Sequence, residues 1–258
     1  MYRKRLSVII YLTGLCMIFG LKYRFRQADC GDLRWLLAPT AWWVRMLSGI
    51  SFTWNPALGY VSHASRFIIA ASCSGIQFFI ITFAALLFSF LHRMDTARQK
   101  TGWLLFCLFV SCPLTIAANG LRIVLSIHLP ALLSPVLPDA AAVRLTPERL
   151  HTGIGMAVYF SALLLFCRAA DNLSLRWGKK ALGKEKNAGH SLLTQWLLPA
   201  SCYLILVLGV PFLNHAAQND PEKFYNFARL ILTGCLNISG IYLLLFFGTK
   251  YFSRWPPS

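Results

Sequence analysis

The run Phe67-Ile68-Ile69-Ala70-Ala71-Ser72-Cys73-Ser74-Gly75-Ile76-Gln77-Phe78-Phe79-Ile80-Ile81-Thr82-Phe83-Ala84-Ala85-Leu86-Leu87-Phe88-Ser89-Phe90-Leu91 holds 25 residues and no charged side chain. That exceeds the ~20 residues a helix needs to cross a hydrocarbon core. Further apolar runs lie at Leu6–Leu21, Gly102–Ala118, Thr152–Cys167, Leu192–Leu213 and Leu230–Phe247. The chain is therefore predicted to be all-α: a polytopic transmembrane helical bundle of about six to eight spans with interfacial helices.

Composition supports the same class. Of 258 residues 57% are hydrophobic and 13% charged, whereas a water-facing surface needs about a quarter charged. A soluble domain, a disordered chain and a disulfide-stapled secreted domain are excluded. The net charge of +16 belongs to the ends of apolar runs, where Lys and Arg orient helices and meet anionic headgroups. No basic stretch carries the interleaved aromatics of a nucleic-acid platform, so the expected surroundings are membrane lipids and no nucleic acid is expected. The eight cysteines form no CxxC pair. His63, His92, His128, His151, His190 and His215 form no ligand-spaced set either, so neither a metal nor another cofactor is expected.

Orientation follows from the connections. The basic N-terminus, His92–Lys100, Arg168–His190 and the C-terminal end together hold 14 of the 25 Lys and Arg residues. The positive-inside rule then places both termini in the cytoplasm. The first run reads as a retained anchor, since no small-residue cleavage site follows it. Trp35, Trp42, Trp43 and Trp54, mixed with Arg34, Arg45 and Arg66, predict a helix in the outer interface. A seventh span through Leu33–Ile50 is the competing reading. Pro130, Pro135 and Pro138 predict a broken or re-entrant segment over Leu121–Leu137. Four parts result: residues 1–66, an anchor and outer interfacial segment; 67–170, a catalytic core; 171–190, a basic cytoplasmic loop; and 191–258, a two-span extension.

Three polar points fall at the outer boundary. Ser72-Cys73-Ser74-Gly75 opens the second span, with Cys73 expected in the first helical turn and Ser72 or Ser74 available to cap it. Asn119-Gly120-Leu121-Arg122 closes the third span, and the Asn-x-x-Arg spacing puts an amide and a guanidinium on one face. His151-Thr152-Gly153-Ile154-Gly155 opens the fourth. Each has a bland reading: a packing cysteine, a snorkelling arginine, an interfacial histidine. Taken together, a thiol nucleophile, a cation for an oxyanion and an imidazole proton carrier suit acyl transfer.

These stretches, in this order, resemble the exosortase/archaeosortase family of membrane transpeptidases. The resemblance rests on Ala71-Ser72-Cys73-Ser74-Gly75-Ile76, Asn119-Gly120-Leu121-Arg122-Ile123 and His151 with Gly155, and covers roughly Phe67–Cys167. It implies a thiol nucleophile at Cys73, oxyanion stabilisation or substrate orientation by Arg122, and general acid/base action by His151. Ser74, Gly75, Asn119 and Gly155 would shape the site. It also implies secreted protein substrates with a C-terminal tripartite sorting signal: a short motif of the Pro-Glu-Pro kind, an apolar helix and a basic tail. Cleavage would pass through a thioester on the outer face of a bacterial or archaeal cytoplasmic membrane, and an unidentified acceptor would take the new C-terminus. The rival readings are a transporter with Arg122 and His151 lining an anion path, and a structural assembly factor. A disulfide between Cys30 and Cys73 is a further alternative that would silence the thiol.

Overall fold

The computed structural model describes residues 2–133, 146–178 and 192–252. Helix α1 (Tyr2–Arg24) is followed by α2 (Arg34–Ser48) and three short strands: β1 (Thr53–Asn55), β2 (Gly59–Ser62) and β3 (Phe67–Ile69). Then come α3 (Ile76–Phe90), α4 (Ala97–Leu133) and α5 (Pro147–Gly178). Helix α6 (Thr194–Leu213), the short α7 (Ala216–Asn219) and α8 (Pro221–Phe252) complete the chain. Six of these helices, α1, α3, α4, α5, α6 and α8, are long and apolar enough to cross a membrane. The all-α bundle is thus observed at the lower end of the expected span number.

Charge distribution explains why the six pack as they do. No charged residue occurs between Arg5 and Lys22, Lys100 and Arg122, His151 and Arg168, or Arg229 and Lys250, and α3 and α6 have none. Charged groups therefore gather in two layers, one at each end of the bundle. Helix α3 is apolar on every side, and a helix of that kind belongs at the centre of a protein. From Phe78 to Phe90 all its residues except Phe88 are buried, against α1, α4, α5 and α6.

A helix does form in the expected stretch, as α2. Leu33, Leu36, Leu37, Thr40, Ala41 and Val44 form a buried stripe at helical spacing, while Trp35, Trp42, Met46 and Leu47 are exposed. Helix α2 stops at 15 residues, whereas α3 with its flanking turns extends over the 23 residues Ala71–Arg93, so α2 is not long enough to cross and the seventh crossing is not realised. Its stripe packs with Ile69 and Ile123 into a second, smaller core. The close approach of α2 to α4 depends on Gly120, where a Cβ would collide with the Trp43 ring.

Two features depart from the sequence reading. The first is the antiparallel sheet β1-β2-β3, with Trp54 opposite Tyr60 and Tyr60 opposite Ile69. The Asn55 side chain closes its first turn by accepting the N–H groups of Ala57 and Leu58. Arg34 lies over the Trp54 ring at 5.0 Å and ties the sheet to α2. The second is the length of the helices. Helix α4 runs unbroken through Pro113 and Pro130 to Leu133, about 55 Å at 1.5 Å per residue. The expected break over Leu121–Leu137 is therefore absent as far as Leu133, and residues 134–145 lie outside the described residues. A proline costs a helix one N–H bond, which a bundle tolerates when neighbours enclose the freed carbonyl. Helix α5 likewise continues to Gly178, so the first eight residues of the expected loop 171–190 are helical. Residues 179–191 lie outside the described residues.

Candidate active site

Cys73 ends a single 3-10 turn, Ala71–Cys73, in which its N–H donates to the Ala70 carbonyl at 2.8 Å. The sequence reading placed it in the first turn of the following helix. It stands instead three residues ahead of α3. The cause is Gly75, whose φ of +76° is left-handed and stops the 3-10 turn from merging with the helix. Ser74 performs part of the expected capping, since its hydroxyl accepts the Ile76 N–H at 3.4 Å. Gly75 is doubly constrained, because a Cβ there would lie 3.2 Å from that of Asn119 and 3.0 Å from the Thr115 methyl.

Asn119 and Arg122 share one face of α4, as their spacing requires. The Asn119 amide donates to the Cys73 carbonyl at 2.6 Å and so fixes the turn that carries the thiol. Its oxygen accepts from Arg122 Nη1 at 3.3 Å. Arg122 Nη2 meets His151 Nε2 at 2.5 Å. A guanidinium only donates, so Nε2 holds a lone pair and the ring proton resides on Nδ1. The guanidinium and the Cys73 thiol are also close enough to interact electrostatically. Gly155, one turn after His151, gives Arg122 its room: a Cβ there would sit 3.3 Å from Nε. All seven expected site residues are therefore brought to one end of the bundle.

Tyr159 completes the set and was missed in the sequence. Its hydroxyl donates to Asn119 Oδ1 at 2.7 Å and accepts from Arg122 Nη1 at 3.1 Å. Its ring stacks on Phe78, 4.4 Å between centroids and 9° from parallel. A signal was present, since His151, Gly155 and Tyr159 recur every four residues on one face of α5. Tyr159→Phe keeps the stacking and removes both hydrogen bonds. Turnover should fall about 5- to 30-fold, the worth of one or two hydrogen bonds near a charge. Kinetics alongside a melting curve checks this: an unchanged rate would make the hydroxyl structural only.

The electrostatics of Arg122 are unusual. The residue is only 8% exposed, and its Nε has no partner. Among the described residues no carboxylate forms an ion pair with it. A buried cation without a counter-ion costs several kcal/mol. The arrangement suits a group that acquires negative charge beside it. A cavity of about 480 Å³ opens here, lined at this end by Ser72, Ser74, Arg122 and His151. Cys73 stands just behind that lining, half-buried and packed toward the α2 core. All eight cysteines are free thiols, so the disulfide to Cys30 is not formed. Among the described residues no three His, Cys, Asp or Glu side chains converge as metal ligands would.

Residues 3–168 match the model of the transmembrane exosortase family, and the chain belongs to that family. The matched region extends beyond the core recognised by motif and takes in α1, α2 and the sheet, while α6 and α8 lie outside it. No curated protein and no solved structure matches the chain.

Proposed function

We propose that this multi-pass membrane exosortase is a cysteine transpeptidase that cuts the C-terminal tripartite sorting signal of secreted proteins. The supporting observation is the hydrogen-bonded chain from the Cys73 turn through Asn119, Tyr159 and Arg122 to His151. In the reaction, Arg122 turns from His151 toward the substrate oxygen, the freed Nε2 takes the Cys73 proton, and the sulfur attacks the scissile carbonyl carbon. Arg122 balances the oxyanion of the tetrahedral intermediate, a role worth most where water is excluded. The imidazolium then protonates the leaving amine, the C–N bond breaks, and a thioester remains on Cys73. An acceptor nucleophile gives its proton to His151, attacks the thioester and releases the thiol. The site would face the exterior of a bacterial or archaeal cytoplasmic membrane, with both termini inside. A substrate anchored by its own membrane helix arrives at fixed depth, which supplies much of the positioning. Water as acceptor would give hydrolysis by the same steps.

A secreted reporter carrying the sorting signal tests this. Cys73→Ala should abolish its processing at normal enzyme levels, and hydroxylamine should release a trapped reporter from the wild-type enzyme only. Undiminished processing by Cys73→Ala would leave the assembly-factor reading. An anion path is disfavoured because no charged residue lies between Lys100 and Arg122 or between His151 and Arg168, so no charged side chain continues the path from Arg122 along α4 or from His151 along α5.

A further inference from the structure

The cavity beside Arg122 is not closed by the family-matched region alone. Its far wall is built by Tyr203 and Val207 of α6 and by Phe227 and Ile231 of α8. Each pair is spaced four residues apart, so each helix turns one apolar face inward. Tyr203, Val207 and Ile231 are buried, which makes the wall preformed. Two features seat these helices against the core. Gln77 of α3 reaches the Leu206 carbonyl, which a π-helical stretch, Ile205–Gly209, frees from regular pairing. Gly234 of α8 lies where any Cβ would collide with Met156 of α5. Among the described residues the cavity lining includes Arg26 and Arg122 but no Asp or Glu. It thus offers cationic donors to a carbonyl or carboxylate oxygen at one end and a greasy slot at the other.

We propose that α6 and α8 form the specificity wall of the site, selecting the apolar residues with which the substrate's membrane helix begins, next to the cut bond. This rests on the reading of Cys73 as nucleophile. A residue flanking that bond enters the slot while the carbonyl is held at Arg122, so wall volume sets which residues fit.

Alkyl methanethiosulfonates of graded chain length provide the probe. The thiolate attacks the sulfenyl sulfur, forming a mixed disulfide and expelling methanesulfinate. The full chain in lipid nanodiscs is treated with methyl and hexyl reagents, and labelling is resolved by mass spectrometry. Cys16, exposed on α1, corrects for partition of the reagent into lipid. After correction, the hexyl reagent should modify Cys73 about tenfold faster than the methyl one, less than two buried methylenes would supply. Val207→Trp and Ile231→Trp should each abolish this preference, and Val207→Ala should preserve it. Equal preference in wild type and both Trp variants overturns the proposal. So does a preference seen in detergent but lost in nanodiscs, which would put a lipid chain in the slot. These outcomes are read independently of peptide cleavage: if Cys73→Ala still processes the reporter while the chain-length preference stands, the catalytic reading fails and takes the selection of substrate with it, whereas loss of the preference with processing still dependent on Cys73 overturns the wall alone.

Discussion

Arg122→Lys should reduce turnover about 10²- to 10³-fold, the loss that follows removal of one oxyanion donor. Lysine keeps the positive charge, so a role in bulk electrostatics would survive the exchange. What it lacks is the planar fork. Arg122 addresses Asn119, Tyr159 and His151 at once, with Nη1 serving the first two and Nη2 the third. A lysine Nζ cannot hold that geometry while also pointing at a substrate oxygen. The loss should appear in kcat with little change in KM, because the oxyanion exists only in the transition state. Single-turnover formation of the Cys73 adduct reads the step directly. A rate within threefold of wild type would remove the guanidinium from the chemistry and leave it a helix-packing group. Such a group would instead show its loss in the melting temperature.

The six spans were legible because hydrophobic length is a local property, readable one segment at a time. The convergence of Cys73, Asn119, Arg122 and His151 was legible for a related reason: Cys73 and His151 mark the starts of spans and Arg122 the end of the uncharged part of α4, although that helix continues to Leu133 instead of closing there. What escaped depends on backbone detail or on distant pairing. The detachment of Cys73 from α3 is set by one dihedral angle at Gly75. The sheet escaped because strands of three or four residues carry too little alternation to compete with loop readings. Tyr159 lies inside an apolar run, where a tyrosine looks like filler until Asn119 and Arg122 arrive from another helix. Asp171 was assigned to a solvated loop because it follows Arg168 in a polar stretch. In the structure it is 2% exposed.

That aspartate anchors the opposite end of the bundle. Its carboxylate meets Arg93 Nη2 at 2.7 Å and accepts from Gln195 Nε2 at 2.7 Å. Arg93 also donates to Ser174 at 2.6 Å and Thr194 at 3.1 Å, while Tyr242 donates to Gln195 at 3.3 Å. One network therefore joins the turn after α3 to α5, α6 and α8. Asp171→Leu should cost about 3–5 kcal/mol, because it strands a mostly buried guanidinium without its counter-ion. The corresponding fall in melting temperature is on the order of 10 °C for a chain of this size. Adding Arg93→Met should recover most of the loss, since two apolar groups that pack together replace a buried ion pair at little net cost. Detergent-solubilised melting curves of the single and double variants measure both steps. An unshifted melting temperature in Asp171→Leu would mean that Arg93 finds water. The same network holds α6 and α8 against the matched core, so the single variant should also lose the Cys73 chain-length preference. The double variant should regain it, which ties the wall at one end of the bundle to the latch at the other.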